Sequence, residues 1–355
     1  MLDDLKKFRP AIVDELRSVL SDTKTDINKW GPDIRDRILE YTLRGKMIRG
    51  SLVFIGAELS GKSGANYAAL AKTAVAMELM QSFLLIHDDI MDNDDIRRGK
   101  PAVHAQYRNL AVQQQWNDAN HSGISMGICA GDVAGFWAMA VLAGLDLPEK
   151  VYRLVLQTMT REIILVGTAQ MQDVAHGVSP DEPSLEAIMS VYRYKTGRYT
   201  FSLPLMLGWI IAGGNSELLD DLASLGEVMG IIFQIRDDYL GLFGNTDETG
   251  KPITSDVSEN KKTLYRRFLL ESISRDDDNH DNNDIPAMFG NEDVSVDDVM
   301  IIRAACDKFA VITQVDELVD QAIEDAKGFV NRLFTNDEQK DRLLGFVDYL
   351  ASRSG

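Results

Sequence analysis

The run His87-Asp88-Asp89-Ile90-Met91-Asp92 sets two carboxylates, Asp88 and Asp92, four residues apart, so a helix would present both from one face, about one turn from each other. Unpaired, that arrangement costs stability. Aimed at the mouth of an apolar cavity it makes sense as a ligand pair for a hard cation such as Mg²⁺, which favours carboxylates together with substrate phosphate. A solvated acidic helix end would read the same way, and the DDxxD spacing alone does not separate the two. A second acidic pair closes another apolar stretch, in Phe233-Gln234-Ile235-Arg236-Asp237-Asp238-Tyr239-Leu240-Gly241. Two such clusters on two apolar helices are hard to explain by solubility. Cations stand in short patterns around them: Gly45-Lys46-Met47-Ile48-Arg49, Arg97-Arg98-Gly99-Lys100-Pro101, Lys195-Thr196, Gly250-Lys251-Pro252 and Lys261-Lys262. Each alone reads as surface charge. Together they suit a ligand carrying diphosphate, gripped by Arg forks and bridged to the carboxylates by Mg²⁺.

The elements that must position these groups read as helices. From Ala65 to Arg98 there is neither glycine nor proline, and Ala, Leu and Met dominate until His87 on nearly every face, which predicts one long buried helix with a polar end starting at Asp88. Similar patterns recur at Pro148–Ala175, Ser184–Gly213, Ser216–Leu242, Val296–Leu333 and Glu338–Ser352, while alternating strand patterns are almost absent. Gly244–Asn260 and the aspartate-crowded Arg275–Asp298 read as irregular, and the second as a solvated loop without chemistry. No repeat or linker divides the 355 residues, so one domain over 1–355 is expected: an all-α fold, a single large helical bundle around a deep central cavity.

In combination, order and spacing, GKMIR, LLIHDDIMDNDDIRRGKPAVH, KTGRY, FQIRDDYLGLFG and GKPITSDVSENKKT resemble the all-trans polyprenyl diphosphate synthases, the farnesyl and geranylgeranyl diphosphate synthase family, from about Gly45 to Lys262. The resemblance implies about a dozen helices around a deep cavity and a homodimer. It implies three Mg²⁺ held on an allylic diphosphate by Asp88, Asp92 and Asp237, with Asp89 and Asp238 as accompanying acids. By the same matching, Arg97, Lys195, Lys251 and Lys261 hold the allylic diphosphate, while Lys46, Arg49, Gln81 and Arg98 hold isopentenyl diphosphate. Thr196 and Gln234 sit beside the reacting carbons. Gly241 stands where a third aspartate is frequent, and Asp256 could add charge there. The first motif has no two-residue insertion. Chain length is expected to rest on Met80, Phe83 and Leu84: an aromatic five before Asp88 with Leu84 at four before is the geranylgeranyl pattern, and farnesyl diphosphate is the alternative product. An ideal wheel puts Phe83 on the flank of the face under Asp88, so a neighbouring helix must bring it to the tunnel.

Several rivals compete with that reading. Gly56-Ala57-Glu58-Leu59-Ser60-Gly61-Lys62-Ser63 satisfies the phosphate-loop pattern, with Ser51–Ile55 as a possible preceding strand; a nucleotide site needs a parallel sheet around it, and none is predicted. A non-catalytic partner subunit would typically lose an aspartate motif, and a class I terpene cyclase needs no second diphosphate site. His87 and His104 read as structural, and Met77, Met80 and Met91 as core or tunnel lining. The formal charge of −18 disfavours nucleic acid as a partner. Two cysteines, an opening MLDDLKKFRP with acidic residues where a secretory signal needs an apolar stretch, and a longest apolar run of 14 residues, Phe201–Gly214, give the expectation of a cytoplasmic protein with no transmembrane segment.

Overall fold

The computed structural model describes residues 2–21, 26–244, 252–276 and 284–352. Helices dominate: α1 (Leu2–Ser21), α2 (Trp30–Leu43), α3 (Ile48–Leu59), α4 (Tyr67–Met91), α5 (Val103–Gln113), α6 (Ala119–Ala143), α7 (Glu149–Val178), α8 (Leu185–Val191), α9 (Leu203–Ile211) and α10 (Leu219–Phe243). Further helices cover Ser255–Ser258, Leu264–Arg275, Ile285–Met288, Val296–Lys308, Val311–Leu333 and Asp337–Ser352. Among the described residues the only sheet is the two-residue hairpin β1 (Ile96–Arg97) and β2 (Lys100–Pro101), with Ile96 opposite Pro101 and Arg97 opposite Lys100. The all-α expectation is met. The chain divides into two compact units, 1–160 with 204–217, and 161–203 with 218–355.

In the first unit, α4 is a long core helix. Asn66 caps it by accepting the Ala69 N–H, and its end is set by Asn93, whose φ of 56° is left-handed. The Asp94 N–H then reaches the Asp89 carbonyl at 2.8 Å and the Asn93 N–H the Ile90 carbonyl at 3.3 Å, the paired bonds of a Schellman stop. So the helix expected to run to Arg98 ends at Met91, because the backbone reverses at Asn93 and spends the next residues on the hairpin. Arg98 and Gly99 both have positive φ, 54° and 70°, as a tight two-residue hairpin demands.

Against α4 packs α6, which repeats glycine every four residues at 123, 127, 131 and 135. A Cβ on Gly131 would stand 2.5 Å from His87 Nε2, and one on Gly135 3.1 Å from Phe83 Cγ. The stripe lets the two helices approach closely. Both α4 and α6 are 25 residues long and apolar enough, by length and composition, to cross a membrane, which corrects the expectation that no stretch exceeds 14 residues. Their isolated Glu78, Gln81 or Asp132 interrupts an apolar run without lowering the average by much. Of the apolar window in α4, 78% is buried within the protein, as in a core helix.

The phosphate-loop pattern falls in α3 and the turn after it. Ser51–Ile55 is helical, and a Cβ on Gly56 would overlap the Leu205 backbone while one on Gly208 would overlap that of Val53. These glycines serve the close crossing of α3 and α9, so the nucleotide-binding alternative has no strand, loop and helix to rest on.

The expected helix Ser184–Gly213 is helical without a gap from Leu185 to Ile211, its regular α winding interrupted in the second unit and resumed in α9, which belongs to the first. Between α8 and α9 the backbone winds as a π-helix over Tyr192–Ser202, a form that occurs at functional sites and costs hydrogen-bond geometry. Gly197, Gly226 and Gly230 let this segment lie directly on α10: a Cβ on Gly226 would overlap Ser202, and one on Gly230 would overlap Gly197. The expected Val296–Leu333 helix is also interrupted, at Ala310, whose φ is 52°.

Candidate active site

In the first unit, α4 carries Asp88 half-buried and Asp92 exposed at its C-terminal end, where the helix dipole is negative and extra carboxylates are unfavourable without a cation. Asp89 differs. Its side chain is buried and both oxygens are engaged: Tyr41 Oη donates to Oδ2 at 2.8 Å, and Arg97 Nε donates to Oδ1 at 2.6 Å. Arg97 also meets Asp94 at 3.1 Å. Burial pushes the Asp89 carboxyl up against the pull of Arg97 and Tyr41. The accompanying acid is thus an anchor that ties α2, α4 and the hairpin together, and Arg97 is held by carboxylates rather than open to solvent.

The cations assigned to the second diphosphate cluster in the same unit. Lys46 is exposed and precedes Met47, whose left-handed φ of 55° starts α3 and turns Arg49 onto its first turn. Beneath them Glu78 is buried and accepts the Gly50 N–H at 2.7 Å. Burial raises its carboxyl, offset by that N–H and by the nearby charges of Arg49 and Arg98. Arg98 in turn is lowered, first by desolvation. Gln81 Oε1 is buried and has no hydrogen-bond partner among the described residues, an acceptor whose burial calls for a donor. Farther back on α4, Met80 is buried, and Phe83 and Leu84 are half-buried. The Phe83 ring meets His87 edge-on at 4.8 Å and lies against Gly135 of α6, so α6 is the neighbour that fixes its position. His87 Nε2 lies 3.2 Å from the Ile128 carbonyl, and His104 3.4 Å from Asp95.

In the second unit, α10 ends with Asp237 exposed and Asp238 buried. Both oxygens of Asp238 are again engaged, by Tyr192 Oη and by Gln234 Nε2, the latter at 2.8 Å. Burial raises its carboxyl to about 7, against those two donors. Gln234 Oε1 accepts from Thr196 Oγ1 at 2.8 Å. The π segment that carries Lys195 and Thr196 is fastened by Arg198, whose fork meets the buried Glu162 at 2.6 and 2.7 Å and also reaches Glu227. Lys195 Nζ is 2.6 Å from Asp173 of α7. Lys261 Nζ is 2.6 Å from Asp256 and 3.3 Å from Glu259; burial would lower its pKa, but the surrounding carboxylates of Asp256, Glu259 and Asp238 together outweigh it and the net direction is up. A Cβ on Gly241 would overlap the Asp256 carboxylate. Asp256 therefore fills the space that a side chain at 241 would enter. Lys251 lies outside the described residues.

Tyr41, Glu78, Asp173 and Tyr192 are site neighbours that the motif reading did not name. Only Asp173 had a local signal, a carboxylate near the polar end of an apolar helix. Among the described residues no three His, Cys, Asp or Glu side chains converge as a ready metal cage. An oxygen-only donor set spread over few carboxylates fits Mg²⁺, which takes one or two carboxylates and completes its shell from substrate phosphate and water.

The polyprenyl synthetase family model matches residues 32–304. The chain belongs to the polyprenyl synthetase family. Members of this family are prenyltransferases, and the chain is an enzyme of that kind. Among its relatives, the geranylgeranyl diphosphate synthase of Sulfolobus acidocaldarius is 34% identical over 241 residues, 67% of this chain and 66% of that protein. The (2E,6E)-farnesyl diphosphate synthase of Mycobacterium tuberculosis is 34% identical over 221 residues, 62% of this chain and 55% of its own length. Matches to these two relatives thus span just under two thirds and just over half of their lengths. The geranylgeranyl pyrophosphate synthase of Corynebacterium glutamicum, solved with isoprenyl diphosphate and magnesium, superposes with a TM-score of 0.90 at 29% identity, covering 98% of this chain and 99% of that one.

Proposed function

We propose that the chain condenses isopentenyl diphosphate with allylic prenyl diphosphates in a Mg²⁺-dependent reaction and that its main product is geranylgeranyl diphosphate. The observation that carries this reading is the pair of acidic helix ends, each with one buried aspartate clamped by a tyrosine beside a more exposed aspartate, in a member of a prenyl-transferring family. A relative solved with isoprenyl diphosphate and magnesium supports the choice of ligands.

Asp88, Asp92 and Asp237 would hold three Mg²⁺. When bound, the metal neutralises charge on the leaving diphosphate and acts as a Lewis acid. Arg97, Lys195, Lys251 and Lys261 add positive charge around the allylic diphosphate, while Lys46, Arg49, Gln81 and Arg98 grip isopentenyl diphosphate. The unpartnered Gln81 acceptor and the buried Glu78 under Arg49 and Arg98 support a polar pocket there. As the allylic C–O bond breaks, Thr196 and Gln234 face the developing cation with oxygen. The isopentenyl double bond attacks it through C4, and the departing diphosphate takes the proton. Phe83 limits the chain at twenty carbons; farnesyl diphosphate is the alternative product, favoured by one group of relatives. A homodimer is part of the proposal, and the exposed Ile124, Ile128 and Phe136 on α6 support it as a face for a second copy.

The test is turnover of Asp88→Ala and Asp237→Ala with both diphosphates and Mg²⁺. Each should fall by several orders of magnitude with helicity nearly unchanged. Activity of both within about tenfold of the parent overturns the metal assignment.

A further inference from the structure

The two oxygens of Asp238 are engaged from two sides, and the chain of hydrogen bonds that starts there has a direction. The Leu264 N–H donates to Tyr192 Oη at 3.3 Å, which leaves the Tyr192 proton for Asp238 Oδ2. Gln234 Nε2 donates to Oδ1 at 2.8 Å, and Thr196 Oγ1 donates to Gln234 Oε1 at 2.8 Å. Tyr192 and Asp238 are both nearly inaccessible, at 5% and 7% exposure.

Reversing the Gln234 amide would set its oxygen against a carboxylate oxygen, two acceptors in contact, in a buried site where that mismatch is costly. With Asp238 ionised, the amide is therefore locked with its oxygen toward Thr196. A threonine hydroxyl has one proton and two lone pairs. With the proton committed to Gln234, Thr196 has only lone pairs left for anything else it meets.

We propose that Tyr192 and Asp238 are positioning residues which, acting through Gln234, turn the oxygen lone pairs of Thr196, and not its proton, toward the allylic cation. This rests on the prenyl transfer proposed above. It assigns Asp238 a task other than holding Mg²⁺, and it brings in Tyr192, which precedes the KTGRY motif and contacts no reacting atom. A hydroxyl proton aimed at a carbocation would repel it, whereas an oxygen lone pair stabilises it. A purely structural tyrosine would only neutralise a buried acid, and its removal would act equally with or without Thr196.

A double-mutant cycle separates the two roles. Tyr192→Phe should lower kcat about tenfold, the scale of one buried hydrogen bond, with KM for both diphosphates within about threefold. Added to Thr196→Val, it should cost no more than about another threefold. A second full tenfold loss in the Thr196→Val background overturns the inference. Asp238→Asn supplies an independent arm, because an amide there can donate and lets the chain reverse. Its kcat should fall at least about tenfold at saturating Mg²⁺, while calorimetric binding of dimethylallyl thiolodiphosphate with Mg²⁺ stays within about threefold of the parent. Weakened binding of that unreactive analogue by about tenfold or more, or recovery of kcat on raising Mg²⁺, makes Asp238 a metal ligand and overturns the inference. A folded parent that forms no prenyl product overturns the proposed function and this inference together; an active parent with a failed cycle overturns this inference alone.

Discussion

At the scale of the residue, an aspartate in these motifs is defined by what already occupies its oxygens. The spacing of Asp88, Asp89 and Asp92 was legible as a cation-binding pattern, but the separate fate of Asp89 was not, because its partner Tyr41 lies 48 positions away in sequence. Tyr192, 46 positions from Asp238, was hidden for the same reason. Gly241 is a residue whose sequence signal was visible and whose cause was not: the Asp256 carboxylate occupies the space beside it. Gly241→Ala should destabilise the fold by about 1–3 kcal/mol through overpacking, measured by urea unfolding, and most of that penalty should vanish in an Asp256→Gly background. Equal penalties in both backgrounds would contradict the overlap. Cys306 is buried and its thiol is pushed up to about 12 by burial, with Asp307 adding to the shift. At pH 8 it should resist iodoacetamide in the native protein and react only after denaturant is added, as mass spectrometry of digests would report.

At the scale of the element, sequence reading succeeded where apolar composition was dense and unbroken and failed where tertiary packing overrode propensity. The core of α4 was legible throughout. Helix α6 was missed because glycine every fourth residue lowers helix propensity, yet each glycine is the contact that lets a partner approach. The π turn over Tyr192–Ser202 leaves no trace in composition, since a shifted hydrogen-bond partner changes no residue type. Glycine substitutions should therefore separate by contact. Gly131→Ala drives a methyl into the His87 ring and should cost about 1–3 kcal/mol, and Gly135→Ala, where Phe83 needs to yield by only a few tenths of an ångström, should cost less. Gly345→Ala, on the helix Asp337–Ser352 with nothing within 4 Å of its Cβ, should stabilise by about 0.4–1 kcal/mol. Thermal unfolding of the three variants checks the order, and a Gly131→Ala protein as stable as the parent would show that α4 and α6 do not approach as closely as described.

At the scale of the whole molecule, the proposed chemistry rests on a few cations and carboxylates, of which Asp89, Asp238 and Lys195 are held by partners from other helical segments. The deep cavity expected from the sequence remains part of the functional proposal, as do product length and the second copy. Removal of Phe83 bulk addresses length: Phe83→Ala should shift products beyond the parent's, and unchanged products would place the floor of the tunnel at another residue. Chelation of divalent metal with EDTA should abolish turnover, and added Mg²⁺ should restore it without refolding. The most direct measurement is chromatography of the products formed by the parent from dimethylallyl diphosphate and excess isopentenyl diphosphate with Mg²⁺. The account predicts a prenyl diphosphate, chiefly of twenty carbons; a folded protein that yields no prenyl product at all would contradict it.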